Sequence, residues 1–153
     1  ALHLDRLRAQ AEDFDPDVRD RLLAGALMPA AWVGQAQKLR RHFRDAVLPL
    51  FGGLDAILMP STPMTAPQLG QKTGMFGGVE MPLRPHIGIF TQPISFIGLP
   101  AVSVPVWLPE QPLPMGVQIV AAPWREDVAL RIAHQLEVAG AVSAPVAKAF
   151  AEG

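Results

Sequence analysis

Apolar residues recur at three- and four-residue steps in three stretches of the chain, and each stretch predicts a helix. In the first, Asp15 followed by Pro16, Asp17 and Val18 is a helix start, with a capping acid, a first-position proline and a further acid. The helix it opens carries Leu22, Leu23, Ala26 and Leu27 and stops near Pro29. From Ala30, Trp32, Ala36, Leu39, Phe43, Val47 and Leu50 form one stripe, with Lys38, Arg40, Arg41 and Arg44 on the other face. This is a surface helix of about 18 residues ending at Pro49 and Gly52-Gly53. Near the C-terminus, Arg125-Glu126-Asp127 opens a helix with Val128, Ile132, Leu136 and Ala139 on one stripe and Gly140 at its end.

Between these helices the period changes. Ala56-Ile57-Leu58-Met59 is an unbroken apolar run, the pattern of a strand buried on both faces. Ala101–Trp107 and Met115–Ala121 read as strands joined by Leu108–Pro114, and Pro105 moves the first of them to a sheet edge or a bulge. Gly70–Pro85 has glycines at 70, 74, 77 and 78 and no periodicity, which predicts a long functional lid or mobile loop. Thr91-Gln92-Pro93 resembles a helix cap with an early proline, and Gly98 and Pro100 close that helix after barely two turns. The order α, α, β, α, β, β, α predicts an α/β fold, a mixed sheet flanked by helices.

Charge divides the chain in the same places. Residues 1–48 hold Arg6, Arg8, Arg19, Arg21, Lys38, Arg40, Arg41 and Arg44 against seven acids. Residues 49–123 hold only Asp55, Lys72, Glu80, Arg84 and Glu110, yet they hold all of the 16 prolines except Pro16, Pro29 and Pro145. So few charges cannot solvate that section without large exposed apolar patches, so it is expected to be covered. The domain reading is therefore one incomplete segment: a helical arm over 1–52, a sheet and loop section over 53–123, and a helix and tail over 124–153. The first residue is Ala1, so the start is expected to be processed, trimmed or internal to a longer protein.

Composition excludes several function classes. Net charge is −1, which gives no basic footprint for nucleic acid. With no cysteine, the chain has no disulfide framework, cysteine-based zinc site or cysteine nucleophile. No apolar run reaches the ~18 residues of a membrane span, and no signal-peptide stretch opens the chain; a cytoplasmic location is expected. There is no nucleophile elbow, zinc-protease motif, phosphate loop or dinucleotide fingerprint. His42 and His134 lie on charged helix faces and read as solvated, whereas His86, beside Arg84 before the capped helix, is a candidate site residue. The N-terminus of that helix would offer unpaired N–H groups to a carboxylate or oxyanion, with Thr91, Gln92 and Ser95 adding polar groups. An ordinary capped helix is the plainer alternative. Ser61-Thr62 follows a strand, where hydroxyls usually satisfy nearby backbone. Trp124 and Met115 read as packing residues.

Three punctuated segments then carry a resemblance. Leu54-Asp55-Ala56-Ile57-Leu58-Met59-Pro60-Ser61-Thr62-Pro63, followed by Ala66-Pro67 and Gly70, is similar to a proline-rich segment of amidase-signature enzymes. Phe90-Thr91-Gln92-Pro93-Ile94-Ser95 through Gly98, Pro100, Ser103 and Pro105 resembles a second segment of that family, and Leu113-Pro114-Met115-Gly116-Val117-Gln118 through Pro123 a third. The order and spacing fit over about 55–140.

This resemblance implies amide hydrolysis by a Ser–cis-Ser–Lys triad, whose Gly/Ser-rich stretch this chain does not contain. The chain is thus identified as the C-terminal part of an amidase-signature enzyme, expected to be inactive alone, with no catalytic residue and no cofactor or metal. It would supply outer strands, one wall of the substrate funnel and a dimer surface. The implied partners are the N-terminal catalytic half, a small amide substrate, a second copy and a small GatC-like subunit, without nucleic acid or membrane. The related component of the glutamyl-tRNA amidotransferase typically has Asp two residues before the Phe-Thr pair, where this chain has Gly88; the family's usual helix Asn is Ser95 here. Thr-Gln-Pro-Ile-Ser and Ala-Ala-Pro-Trp-Arg-Glu-Asp instead resemble the branch around carboxybiuret hydrolases, implying a small urea-like or carboxylated amide. Arg84, His86, Thr91, Gln92 and Ser95 are the implied substrate-facing groups, Arg84 as carboxylate partner. Two readings compete: a component of a tRNA-dependent amidotransferase, and a non-catalytic scaffold using the basic face of helix 30–48.

Overall fold

The computed structural model describes residues 2–146. They divide after His42 into two compact units.

In the first unit, α1 (Leu4–Ala9) and a 3-10 turn (Ala11–Asp13) precede α2 (Pro16–Ala26). The start of α2 is as the sequence predicts: the Asp17 amide donates to the Asp15 carboxylate at 2.9 Å, and Pro16 occupies the first turn. α1 has no counterpart among the predicted elements, because six residues are too few to show a period. It is held by burial of Leu7 and by the Phe14 ring, over which the Arg6 guanidinium lies 5.6 Å from the centroid. α3 (Ala30–Val47) begins at the predicted residue and runs 18 residues, continuing into a 3-10 turn over Leu48–Gly52.

The second unit is built on a three-stranded sheet in the order β1-β5-β4, with β1 at Ala56–Pro60, β4 at Ala101–Val106 and β5 at Met115–Ala121. Each pairing among the described strands is antiparallel, so the mixed character expected of the sheet shows no parallel pair within these residues. Pro105 lies on an edge strand, as its missing N–H requires. β1 differs from expectation. It is also an edge strand, and Leu58 is 52% exposed, so the strand buried on both faces is β5, not β1. An unbroken apolar run identifies a strand but not its place in the sheet.

Side chains of β5 alternate between two layers. Ile119 and Ala121 pack with Val104 against Val128 and Ala129 of α6 (Glu126–Val138). Val120 points the other way, into a cluster with Ile97, Leu99, Phe43, Val47, Ile57 and Met59. α6 ends as predicted: Gly140 has φ 71°, and the Ala141 amide donates to the Leu136 carbonyl at 2.9 Å. Trp124, expected to pack, stands 89% exposed at φ 64° in the turn before α6, because that turn carries its ring away from both layers.

The segment expected to be a functional lid or mobile loop without periodicity, 70–85, instead contains regular structure. Thr73–Phe76 (β2) and Val79–Pro82 (β3) form an antiparallel hairpin. Its two-residue turn, Gly77-Gly78, has φ of 58° and 83°, the left-handed pair that suits the twist of flanking strands. The Thr73 hydroxyl donates to Glu80 across the ladder at 2.7 Å. Strands of four residues are too short to show a period, although the Gly-Gly pair was the available signal.

Gly116 marks the tightest approach in the sheet. A methyl group there would lie 2.8 Å from Ser61 Cβ and 3.1 Å from Ser103 Oγ. Gly116→Ala is expected to destabilise the protein by about 1–3 kcal/mol in denaturant unfolding, whereas Gly53→Ala, which meets nothing within 4 Å, should change stability by less than ~0.5 kcal/mol. Equal shifts for the two variants would contradict the close approach.

At the start of α6 the Asp127 carboxyl is held below its ordinary range, chiefly by the hydrogen bond from Arg125 Nε at 3.1 Å. The lowered folded-state value means the pair adds stability above the ordinary carboxyl range, and this is lost as pH falls through the folded value. An NMR titration should therefore find Asp127 depressed and Arg125→Ala should return it towards the ordinary aspartate range; an ordinary value in the unchanged protein would show that the pair does not form.

Candidate functional site

The predicted site residues lie on two short helices joined by a tight turn, α4 (Leu83–His86) and α5 (Gln92–Ile97). Neither is long enough to be stable alone, so contacts elsewhere hold them. Leu83 is buried and its amide donates to the Lys72 carbonyl at 2.9 Å. Gly74 makes room for it, since a Cβ there would come within 2.8 Å of Leu83 Cδ2. At the far end Ile97 is fully buried in the sheet cluster.

Arg84 follows Leu83 and is exposed. His86 is partly buried beside Phe76, ring centroids 5.5 Å apart, and its Nδ1 meets the Pro82 carbonyl at 2.7 Å. A carbonyl only accepts, so Nδ1 carries the proton and Nε2 of the neutral ring keeps its lone pair for a donor.

The turn between the helices converges on Gly88. Its carbonyl accepts from the Thr91 amide (3.1 Å), the Gln92 amide (2.8 Å) and the Thr91 hydroxyl (3.3 Å). The Gln92 side chain folds against the same residue, and a Cβ at position 88 would lie 3.0 Å from its Nε2. Gly88 thus leaves the space that the Gln92 carboxamide uses. These contacts correct one expectation. Thr91 has helical angles, φ −89° and ψ −33°, and does not cap α5. The chain enters α5 from an already coiled turn, so the Gln92 amide is occupied, Pro93 has none, and the anticipated array of open N–H groups is not formed. Ser95 lies one turn on, exposed, its amide bonded to Thr91.

A second group is visible in the sequence only as motif positions. Ser61, Ser103, Gly116 and Gln118 share one face of the sheet, because Ser103 pairs with Gln118 in the β4–β5 register and the Ser61 amide donates to the Gly116 carbonyl at 2.7 Å. The Ser61 and Ser103 hydroxyls are 2.7 Å apart, and Ser61 is only 5% exposed. Thr62, by contrast, does what turn hydroxyls usually do and donates to the Met64 carbonyl at 2.9 Å. Gln118 Nε2 lies 2.9 Å from both the Pro60 and the Phe90 carbonyls. A glutamine amid β-branched residues of a central strand was the available signal.

Among the described residues, no three His, Cys, Asp or Glu side chains are placed to hold a metal ion, and no helix is long and apolar enough to cross a membrane. His42 and His134 are exposed, as expected. A cavity of about 260 Å³ in the first unit, lined by Leu4, Leu7, Leu22 and Arg21 among others, includes none of the predicted site residues.

Comparison with known proteins places these features in a family. The amidase family model matches residues 5–130. The chain is 44% identical over 140 residues to AtzE of Pseudomonas sp. strain ADP, which forms part of 1-carboxybiuret hydrolase; the match covers 91% of this chain and 31% of that protein. It is 36% identical over 145 residues to a glutamyl-tRNA(Gln) amidotransferase subunit of Ruegeria pomeroyi, covering 90% and 28%. Against a fatty acid amide hydrolase of Medicago truncatula the identity is 35% over 121 residues, covering 79% and 20%.

Among solved structures, one described as a vestigial protein complex revealing the origins of an s-triazine catabolic enzyme superposes with a TM-score of 0.90. Its sequence identity is 42%, over 95% of this chain and 32% of the other. A crystal structure of an amidase superposes with a TM-score of 0.83 at 29% identity, over 90% and 31%. The chain therefore spans about a third or less of the length of the relatives it matches. The punctuated segments, the sheet and the short paired helices are those of a known fold, and the chain belongs to the amidase family.

Proposed function

We propose that this chain is the substrate-contacting C-terminal segment of an amide-bond hydrolase acting on a small amide or urea-like compound that carries a carboxylate. The observation that carries the reading is the 44% identity to a carboxybiuret hydrolase component over nearly the whole chain, with only 31% of that protein covered. The Ser–cis-Ser–Lys machinery belongs, on this reading, to the remaining two thirds of the protein. Gly88 supports a small amide over aminoacyl-tRNA, since the Gln92 carboxamide uses the space where the amidotransferase relative typically has Asp.

In this reading the α4–α5 pair faces the substrate. The Arg84 guanidinium pairs the carboxylate, as a planar fork suited to two parallel N–H···O bonds. His86 Nε2 accepts from a substrate N–H, and Thr91, Gln92 and Ser95 orient the amide. Exposed Leu58, Phe96 and Trp107 meet the catalytic part of the protein or a second copy. The solved vestigial protein complex supports a reading in which the assembly includes a partner protein, here taken to be a small GatC-like one.

In the full-length protein that carries this chain, Arg84→Ala is expected to raise KM for malonamate about 10- to 100-fold, the loss of one charge-assisted pair. KM for neutral malonamide and kcat for both should change little. An unchanged KM for malonamate would remove Arg84 from carboxylate recognition. Purified 1–153 should release no ammonia from either compound, and turnover by it would overturn the division of labour.

A further inference from the structure

We propose that Gln118 is the positioning residue of this site: its carboxamide clamps the turn that carries Thr91 and Gln92 to the end of β1. The proposal rests on the reading that α4 and α5 face the substrate. Gln118 is 3% exposed in the central strand, so it acts through those residues rather than by touching substrate. Both its partners are carbonyl oxygens, Pro60 and Phe90, each at 2.9 Å. Only the NH2 end of a carboxamide supplies two donors there, which fixes the orientation of the group.

The two bonds join pieces far apart in sequence, 58 and 28 residues from Gln118. Phe90 is the residue immediately before Thr91, within the turn that converges on Gly88. The flanking helices have four and six residues and do not fix their own orientation. Leu83 anchors the entry and Ile97 the exit; the Gln118–Phe90 bond is what ties the turn between them to the sheet. The donating side chain is 3% exposed, which limits competition from water at its NH2 group and strengthens the tie. Neighbouring Gly116 and the Ser61–Ser103 pair lie on the same face of the sheet.

The test is made in the full-length protein with Gln118→Met, which keeps the length but has no donor, and Gln118→Asn, which keeps both donors on a shorter arm. Backbone hydrogen exchange over 88–95 is compared with exchange over 128–136 in α6, and KM and kcat are measured with malonamate. Gln118→Met is expected to speed exchange over 88–95 at least 10-fold, leave α6 unchanged, and raise KM at least 10-fold with kcat within about threefold. Gln118→Asn should fall between it and the unchanged protein. Equal acceleration in both segments, or none over 88–95, in either variant overturns the clamp. Local acceleration with an unchanged KM also overturns the positioning role, provided Arg84→Ala still raises KM. If the Gln118 and Arg84 variants all leave KM unchanged, it is the substrate-facing reading that fails.

Discussion

Two hydrogen bonds from one buried carboxamide constrain this molecule more than any surface charge pair. Gln118, itself only 3% exposed, donates to two carbonyls, one from β1 and one from the turn before α5, and each such bond contributes about 0.5–1.5 kcal/mol. The sheet and the turn between α4 and α5 are therefore joined through this side chain. Gly116 belongs to the same constraint, since any side chain there would push Ser61 and the end of β1 away from β5. By comparison the Arg8–Asp5 and Arg19–Glu12 ion pairs, with carboxylates in open solvent, contribute little.

The prolines acquire a physical role around that junction. Pro60 ends β1 and offers a carbonyl to Gln118, while Pro105 sits where an edge strand needs no donor. Pro82 gives its carbonyl to His86 and thereby sets which ring nitrogen remains an acceptor. These residues punctuate short elements that then pack on each other, which is why a section with so few charges is folded rather than linker-like. Its apolar surface is only partly buried within this chain: Leu58, Phe96 and Trp107 stand exposed. In the proposed reading that surface belongs against the rest of the protein.

What was legible in the sequence follows from the length of each signal. α2, α3 and α6 carry at least three turns of periodic apolar residues, and their limits were readable to within about three residues. β4 and β5 were readable from β-branched runs, and the edge position of β4 from one proline. The failures are all short or relational. α1 has six residues, the hairpin strands four each, and the place of β1 in the sheet depends on partners that no local pattern encodes. The residues read as the candidate site, within 84–95, lie on two adjoining short helices, but the entrance to the second differs from the reading. Thr91 looks like a cap, yet the preceding turn is already coiled and spends the Thr91 hydroxyl on Gly88. Gln118 and Gly116 were visible only as motif letters, because their meaning lies in contacts distant along the chain, 28 and 58 residues away for Gln118.

The Gln118 carboxamide, 3% exposed, gives both of its protons to backbone carbonyls. Solvent exchange of its two side-chain protons, followed by NMR in the folded protein, tests this directly. Both should be resolved, shifted apart and protected about 100-fold or more relative to an exposed glutamine such as Gln111. Exchange of either proton at the rate of the Gln111 side chain would contradict the account.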